Sequence, residues 1–68
     1  MKPLTAAQVE AILRANGFIR SHGKGSHFGW FNPTTLRRTS VPHHGNRPLK
    51  QGTLLAIFSQ AGIPKPPR

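Results

Sequence analysis

The sequence FIRSHGKGSHFGWFN, residues 18–32, predicts a β-hairpin near the middle of the chain. Phe18 to His22 reads as a first strand, and Ser26 to Phe31 can return antiparallel to it. Gly23, Lys24 and Gly25 lie between the two strands and can close them as a three-residue loop. The remaining elements are placed outward from this hairpin.

Strand periodicity gives the hairpin two different faces. A three-residue loop puts Phe18 opposite Trp30, so that Phe18, Phe28 and Trp30 face the rest of the fold. His27 and Phe31 then point to the open face. An exposed Phe31 can stack on a nucleic-acid base or cover the edge of the sheet, and we favour the second role.

A helix precedes the hairpin, over roughly Ala6 to Asn16. Thr5 is a good N-cap, and Gln8 three residues later completes a capping box. Gly17 supplies the left-handed residue that ends the helix, and Gly62 is expected to end a second helix in the same way.

Two further elements follow the hairpin. Residues 32–35, Asn-Pro-Thr-Thr, predict a turn, and a third strand is expected over about Arg37 to Val41. Pro42 should end the pairing because it has no N–H to donate. A loop over residues 42–52 then leads to a helix over roughly Thr53 to Ala61. The predicted inner face of this helix consists of Leu54, Ile57, Phe58 and Ala61.

The predicted order is therefore α-β-β-β-α. Three antiparallel strands with two helices on one face form a two-layer α+β domain, which is the layout of double-stranded RNA-binding domains. We expect one domain over residues 1–68, with a mobile, proline-rich tail at residues 64–68.

Charge is the strongest feature of the composition. Ten Lys and Arg residues face a single acid, Glu10, and the formal net charge is +9. Such a chain favours polyanions, whether nucleic acid, an anionic membrane surface or an acidic protein, unless it is merely a soluble basic protein. The chain has no cysteine, and no apolar run approaches the ~20 residues of a membrane span. We expect a reducing, cytoplasmic setting.

His27 is the candidate for chemistry. Gly25 can let backbone N–H groups approach an anion, and Lys24 and Arg20 can neutralise phosphate charge. RNA carries its own nucleophile, the 2′-hydroxyl, so an imidazole that moves protons can promote cleavage without a metal. A single acid excludes paired-carboxylate catalysis, and zinc would have a poor ligand set. The local sequence leaves open the alternative that His27 is a hydrogen-bonded strand residue.

Several segments in order resemble a known family. These segments are QVEAILRANGF at residues 8–18, GSH at residues 25–27, VPHHG at residues 41–45, LKQGTL at residues 49–54 and AGI at residues 61–63. Together they resemble the HicA toxins, small mRNA interferases of bacterial toxin–antitoxin pairs. The resemblance extends from about residue 4 to residue 63.

The resemblance implies a function and a site. It implies the double stranded RNA-binding-like fold and a single catalytic histidine in the Gly25-Ser26-His27 motif. The family's Val-Pro-x-His stretch matches at His44, whose role is RNA contact or loop structure. Gly29 departs from the family, in which a larger strand residue is commoner there. The implied partners are mRNA and a HicB-type antitoxin in the bacterial cytoplasm.

The expected site therefore combines one catalytic group with a basic surface, and we expect neither a metal nor a cofactor. The residues expected to contact RNA are Arg20, Lys24, Gly25, Ser26, Arg37, Arg38, His44, Arg47 and Lys50. Two other functions remain possible from the sequence: a non-catalytic RNA-binding module with the same fold, and a small basic structural or ribosome-associated protein.

Overall fold

A computed structural model describes residues 3–25, 27–43 and 45–64, with the side chains of His22 and Lys24 excepted. The elements are α1 (Ala6–Ala15), β1 (Ile19–Lys24), β2 (His27–Phe31), β3 (Arg38–Pro42) and α2 (Gln51–Ala61). The predicted α-β-β-β-α order and α+β class are confirmed. Residues 65–68, to which the prediction of a mobile tail chiefly applies, lie outside the described residues.

Local capping fixes both ends of α1. Thr5 Oγ1 accepts a hydrogen bond from the backbone N–H of Gln8 at 3.3 Å, and the Thr5 N–H donates to Gln8 Oε1 at 2.9 Å. At the other end Gly17 has φ +89°, and the Phe18 N–H donates to the carbonyl of Leu13 at 3.0 Å. These are the predicted capping box and glycine stop.

Helix α2 ends as predicted but begins earlier. Gly62 has φ +70°, and the Ile63 N–H donates to the Phe58 carbonyl at 3.0 Å, which repeats the stop of α1. The first helical residue is Gln51 rather than Thr53, because the chain leaves its extended conformation directly after Lys50. The four residues predicted for the inner face of α2 are all buried.

The three strands form one antiparallel sheet in the order β1-β2-β3. Trp30 pairs with Arg20 and not with Phe18, so the predicted register was wrong by two residues. An even shift keeps each β2 residue on its predicted face. Phe18 is still buried, although it precedes the strand.

A shorter connection and a bulge together explain the difference in register. Ser21 pairs with Gly29 while Lys24 pairs with His27, so β1 contains one extra residue between these pairs. A Cβ on Gly23 would overlap the backbone carbonyl oxygen of His27, and only glycine fits there. The predicted three-residue loop over residues 23–25 was wrong, because β1 runs to Lys24 and β2 begins at His27. The pairing at His27 is thereby moved by three residues, and the bulge takes one of them back.

Strand β3 also differs from its prediction at both ends. It covers Arg38–Pro42, and Pro42 is itself the last paired residue, opposite His27. Proline is tolerated there because β3 is an edge strand. Phe31 belongs to the central strand β2, so the expectation that it covers a sheet edge was wrong.

Both helices pack on the same side of the sheet, and the core lies between the two layers. The buried apolar residues are Ala6, Val9, Leu13, Phe18, Trp30, Val41, Leu49, Leu54, Ile57, Phe58 and Ala61. Trp30 and Val41 are the strand residues at its centre. Among the described residues, no helix is long and apolar enough to cross a membrane.

Candidate functional site

His27 begins β2 and is exposed. Its strand partners are Lys24 on one side and Pro42 on the other. Trp30 faces the helices, so alternation places His27 on the opposite, open face of the sheet. The bulge at Gly23 sets the position of this residue relative to β1.

A shallow trough crosses the open face next to His27. Ser21, Gly29 and Ser40 lie directly opposite one another on the three strands. Beyond them, Phe31 pairs with Arg38, whose guanidinium carbon lies 5.6 Å from the centroid of the Phe31 ring. These five residues, together with Trp30, Thr39 and Gln60, line a cleft of about 650 Å³. We call the part formed by the five residues the Gly29 trough.

A second, basic cavity includes Pro42, the strand partner of His27, in its lining. Arg47 and Lys50 line it together with Pro42, and its volume is about 260 Å³. Lys50 is the N-cap of α2, and its side chain makes no capping hydrogen bond. The first N–H groups of a helix carry partial positive charge, so this cavity combines two cationic side chains with a helix N-terminus.

Two arginines predicted to contact RNA lie away from His27. Arg20 pairs with Trp30 on the helix-facing side of the sheet, and its guanidinium carbon is 4.0 Å from the centroid of the Phe28 ring. Arg37 Nη1 donates to the Gln60 carbonyl at 3.5 Å, where its charge complements the C-terminus of α2. Neither arginine is adjacent to His27 through strand pairing.

The structure describes only part of the remaining predicted contacts, which are Lys24, Gly25, Ser26 and His44. Gly25 is exposed with φ +57°, a conformation that favours glycine. Lys24 pairs with His27 through its backbone, but its side chain lies outside the described residues. Ser26 and His44 lie outside them entirely.

Sequence reasoning missed the role of Glu10. Its Oε2 accepts a hydrogen bond from Trp30 Nε1 at 2.9 Å, and its Oε1 lies 2.9 Å from His43 Nε2. The second contact is a close approach of nitrogen and oxygen without the geometry of a hydrogen bond. Phe28 packs edge-on against the His43 ring at 4.6 Å between centroids. A buried tryptophan N–H needs a hydrogen-bond acceptor. The presence of a single acidic residue, Glu10, beside a single tryptophan was the feature of the sequence that could have suggested this contact.

The described residues therefore include a group that can transfer protons, the His27 imidazole, and cationic side chains that can bind an anion. The only carboxylate of the chain is 13% exposed and is already engaged by Trp30 and His43. Within residues 3–25, 27–43 and 45–64, no three His, Cys, Asp or Glu residues are grouped as metal ligands. The exposed His27 lies two residues before Gly29 of the trough, and its strand partner Pro42 lines the basic cavity.

One comparison with known proteins gives a match. A family model described as HicA toxin of bacterial toxin–antitoxin matches residues 6–63. This range contains both helices and all three strands. No curated protein sequence matches the chain.

Proposed function

This chain belongs to the HicA toxin family, and we propose that it is a metal-independent endoribonuclease that cleaves mRNA with His27 as the acid/base group. Membership of the family makes it the toxin of a toxin–antitoxin pair. The observation that carries the proposal is the exposed His27 on the open face, whose strand partner Pro42 lines a cavity with Arg47 and Lys50.

His27 would act on the nucleophile that RNA itself supplies. The imidazole takes the proton of a 2′-hydroxyl, the 2′-oxygen attacks the neighbouring phosphorus, and the bond from phosphorus to the leaving oxygen breaks. A proton must reach that leaving oxygen as the bond breaks. The His27 side chain is exposed, so an RNA backbone can reach it without any rearrangement of the core.

Cations would stabilise the crowded phosphate. Arg47 and Lys50 share a cavity with Pro42, the strand partner of His27. Fixed positive charge next to the reacting phosphate stabilises the charge that develops in the transition state.

The single carboxylate supports an imidazole mechanism. Glu10 is held by Trp30 and His43, and the Trp30 side chain lies on the helix-facing side of the sheet. A carboxylate that accepts a hydrogen bond beneath the sheet does not reach a phosphate above it. We therefore assign proton transfer to His27 rather than to a carboxylate.

The partner we propose is a HicB-type antitoxin with an acidic surface. The toxin carries a formal net charge of +9, and complementary charge accelerates association and favours the correct partner. Such an antitoxin would neutralise the toxin by covering His27 and the neighbouring basic cavity.

The test compares His27→Ala with the wild type and with His22→Ala, which removes the same side chain from the same hairpin. We expect His27→Ala to abolish RNA cleavage and growth inhibition while the domain stays folded, because the exposed side chain is not part of the core. Growth after induction, RNA integrity and circular dichroism are the measurements. Cleavage by His27→Ala at the wild-type rate would reject the mechanism, and unfolding would show that the histidine is structural.

The same preparation tests the independence from metal. Cleavage should persist in excess EDTA, and an RNA with deoxyribose at the scissile position should resist cleavage yet still bind through its phosphates. Activity that is lost in EDTA and restored by zinc or magnesium would instead indicate a metal-activated water. Equal cleavage of the deoxy substrate would show that the 2′-hydroxyl is not the nucleophile.

A further inference from the structure

The Gly29 trough takes no part in the proton-transfer step. Its five lining residues occupy strand positions on the same face of the sheet as His27. The cleft to which they belong has a volume of about 650 Å³ and continues to Trp30, Thr39 and Gln60. Its floor consists of three residues with small side chains or none, Ser21, Gly29 and Ser40. An aromatic ring and a guanidinium, Phe31 and Arg38, form its far wall.

We infer that the trough binds single-stranded RNA, with one base next to the cut stacked on Phe31 and its phosphate held by Arg38. The inference rests on the proposed function, because it takes the RNA to be cut at His27. It adds a subsite that favours an unpaired strand over a duplex.

Gly29 is the first observation that supports a ligand here. Glycine weakens the interior of a strand, where it often marks a site of close approach by a ligand or another backbone. Unlike Gly17, Gly25, Gly45 and Gly62, Gly29 does not have a positive φ. Its backbone therefore does not require glycine, and its partners across the sheet on the open face, Ser21 and Ser40, also have small side chains.

The spacing along β2 fits an extended strand of RNA. Residues on one face of a strand repeat every two positions, which is about 7 Å along an antiparallel strand. Gly29 is one such step from His27, and Phe31 is two steps away. An RNA backbone with its cut at His27 would therefore pass over Gly29 before a base reaches the Phe31 ring.

The character of the far wall favours RNA as the occupant. Phe31 is half-buried and so is held in place, and its cross-strand neighbours are Ile19 and Arg38. Stacking on a fixed aromatic ring requires a base whose flat surface is free, as in a single strand. The adjacent guanidinium and the net charge of +9 suit a polyanion.

The experiment measures binding in the His27→Ala background, so that cleavage does not consume the probe. The probes are a fluorescein-labelled single-stranded RNA of about ten nucleotides and the same strand in a blunt duplex, followed by anisotropy. Phe31→Ala should weaken single-strand binding roughly 5-fold to 150-fold, which is the effect that loss of one base–aromatic stack has elsewhere. Duplex binding should not change.

Two more variants separate stacking from packing and charge. Phe31→Trp should retain single-strand affinity, because indole also stacks on a base. Arg38→Ala should weaken binding and lower the salt dependence of log affinity by about one phosphate contact, whereas Phe31→Ala should leave that slope unchanged. Leu55→Ala is the control for loss of an exposed apolar side chain, 43% exposed on α2, and should bind like its parent.

Gly29→Val keeps the inference testable even where Phe31→Ala lowers stability. It fills the trough with a residue that suits a strand, so thermal stability should be maintained or raised while single-strand affinity falls at least 5-fold. Unchanged affinity in both Gly29→Val and Phe31→Ala would overturn the inference. The inference would also be overturned if these variants lost affinity for an acidic antitoxin but not for RNA. The trough would then be a protein-binding surface.

The subsite and the cleavage mechanism can fail separately. Binding is measured without His27, so an error in the catalytic assignment does not affect it. Conversely, a flat response to Phe31→Ala and Gly29→Val would remove the subsite and leave the loss of cleavage in His27→Ala as it stands.

Discussion

The two faces of β2 differ in almost every physical property although their residues alternate along five positions. Toward the helices, Trp30 is 1% exposed and Phe28 is covered by His43 and Arg20. On the other side His27 is exposed and Gly29 presents no side chain. One face is filled with aromatic rings, and the other is open.

This difference shows how a 68-residue domain divides stability from function. A domain of this size buries only about 60% of the surface that its unfolded chain exposes. Its core is therefore small, and nearly every residue on the inner face is needed for packing. The chain places its large aromatic ring and its only acid there, bonded at 2.9 Å. The open face is then free to carry the residues that we assign to RNA.

The largest expected effect is the difference in stability between substitutions on the two faces of β2. Trp30→Ala should lower the free energy of unfolding by about 3–5 kcal/mol, as for other buried aromatic residues, and largely unfold the domain. His27→Ala on the opposite face should change it by no more than about 0.5 kcal/mol. Urea denaturation measures both. Similar losses in the two variants would mean that the faces do not divide in this way.

A smaller effect concerns the acid beneath the sheet. Glu10→Ala leaves the buried Trp30 N–H without its acceptor and should lower the free energy of unfolding by about 1–3 kcal/mol. Glu10→Gln retains an acceptor oxygen and should lose less. Thermal unfolding of both variants is the measurement. Equal losses would assign the contact to charge at His43 instead of the hydrogen bond from Trp30.

The smallest expected effect is that of a substitution at Lys50, which should raise stability while it lowers RNA affinity. Lys50 occupies the N-cap of α2 with extended dihedral angles, and no side chain caps the helix. Lys50→Ser should add about 1 kcal/mol of stability through a new cap, yet weaken RNA binding by removing a cation from the basic cavity. Lys50→Ala is the control, since it removes the charge without adding a cap. Undiminished RNA affinity in both variants would take Lys50 out of the binding surface.

Helix ends were predictable because their chemistry is local. Thr5 and Gln8 satisfy each other's backbone within one turn, and Gly17 and Gly62 occupy left-handed positions directly after their helices. A window of a few residues contains all the information for these contacts. The start of α2 was missed because Lys50 offers no side-chain cap to mark it.

The register and the surroundings of the site were less predictable for a different reason. The extra residue in β1 depends on the approach of Gly23 to the backbone of β2, and this contact is visible only once the strands pair. Arg20 was expected beside His27, but its partner across the sheet is Trp30. The bonding of Glu10 to Trp30 joins residues twenty positions apart, a distance at which sequence spacing carries no information.

The bulge at Gly23 also has a consequence for motion. It interrupts the ladder between β1 and β2, so that the Lys24–His27 pair lies beyond the break and only Pro42 continues the sheet on the other side. Segments with few buried contacts open with a much smaller free energy than the core. The amide hydrogens of Gly25 and His27 should therefore exchange through local opening, well before those around Trp30. His27 thus sits on a segment that can adjust to a bound phosphate while the packed layer beneath it stays closed.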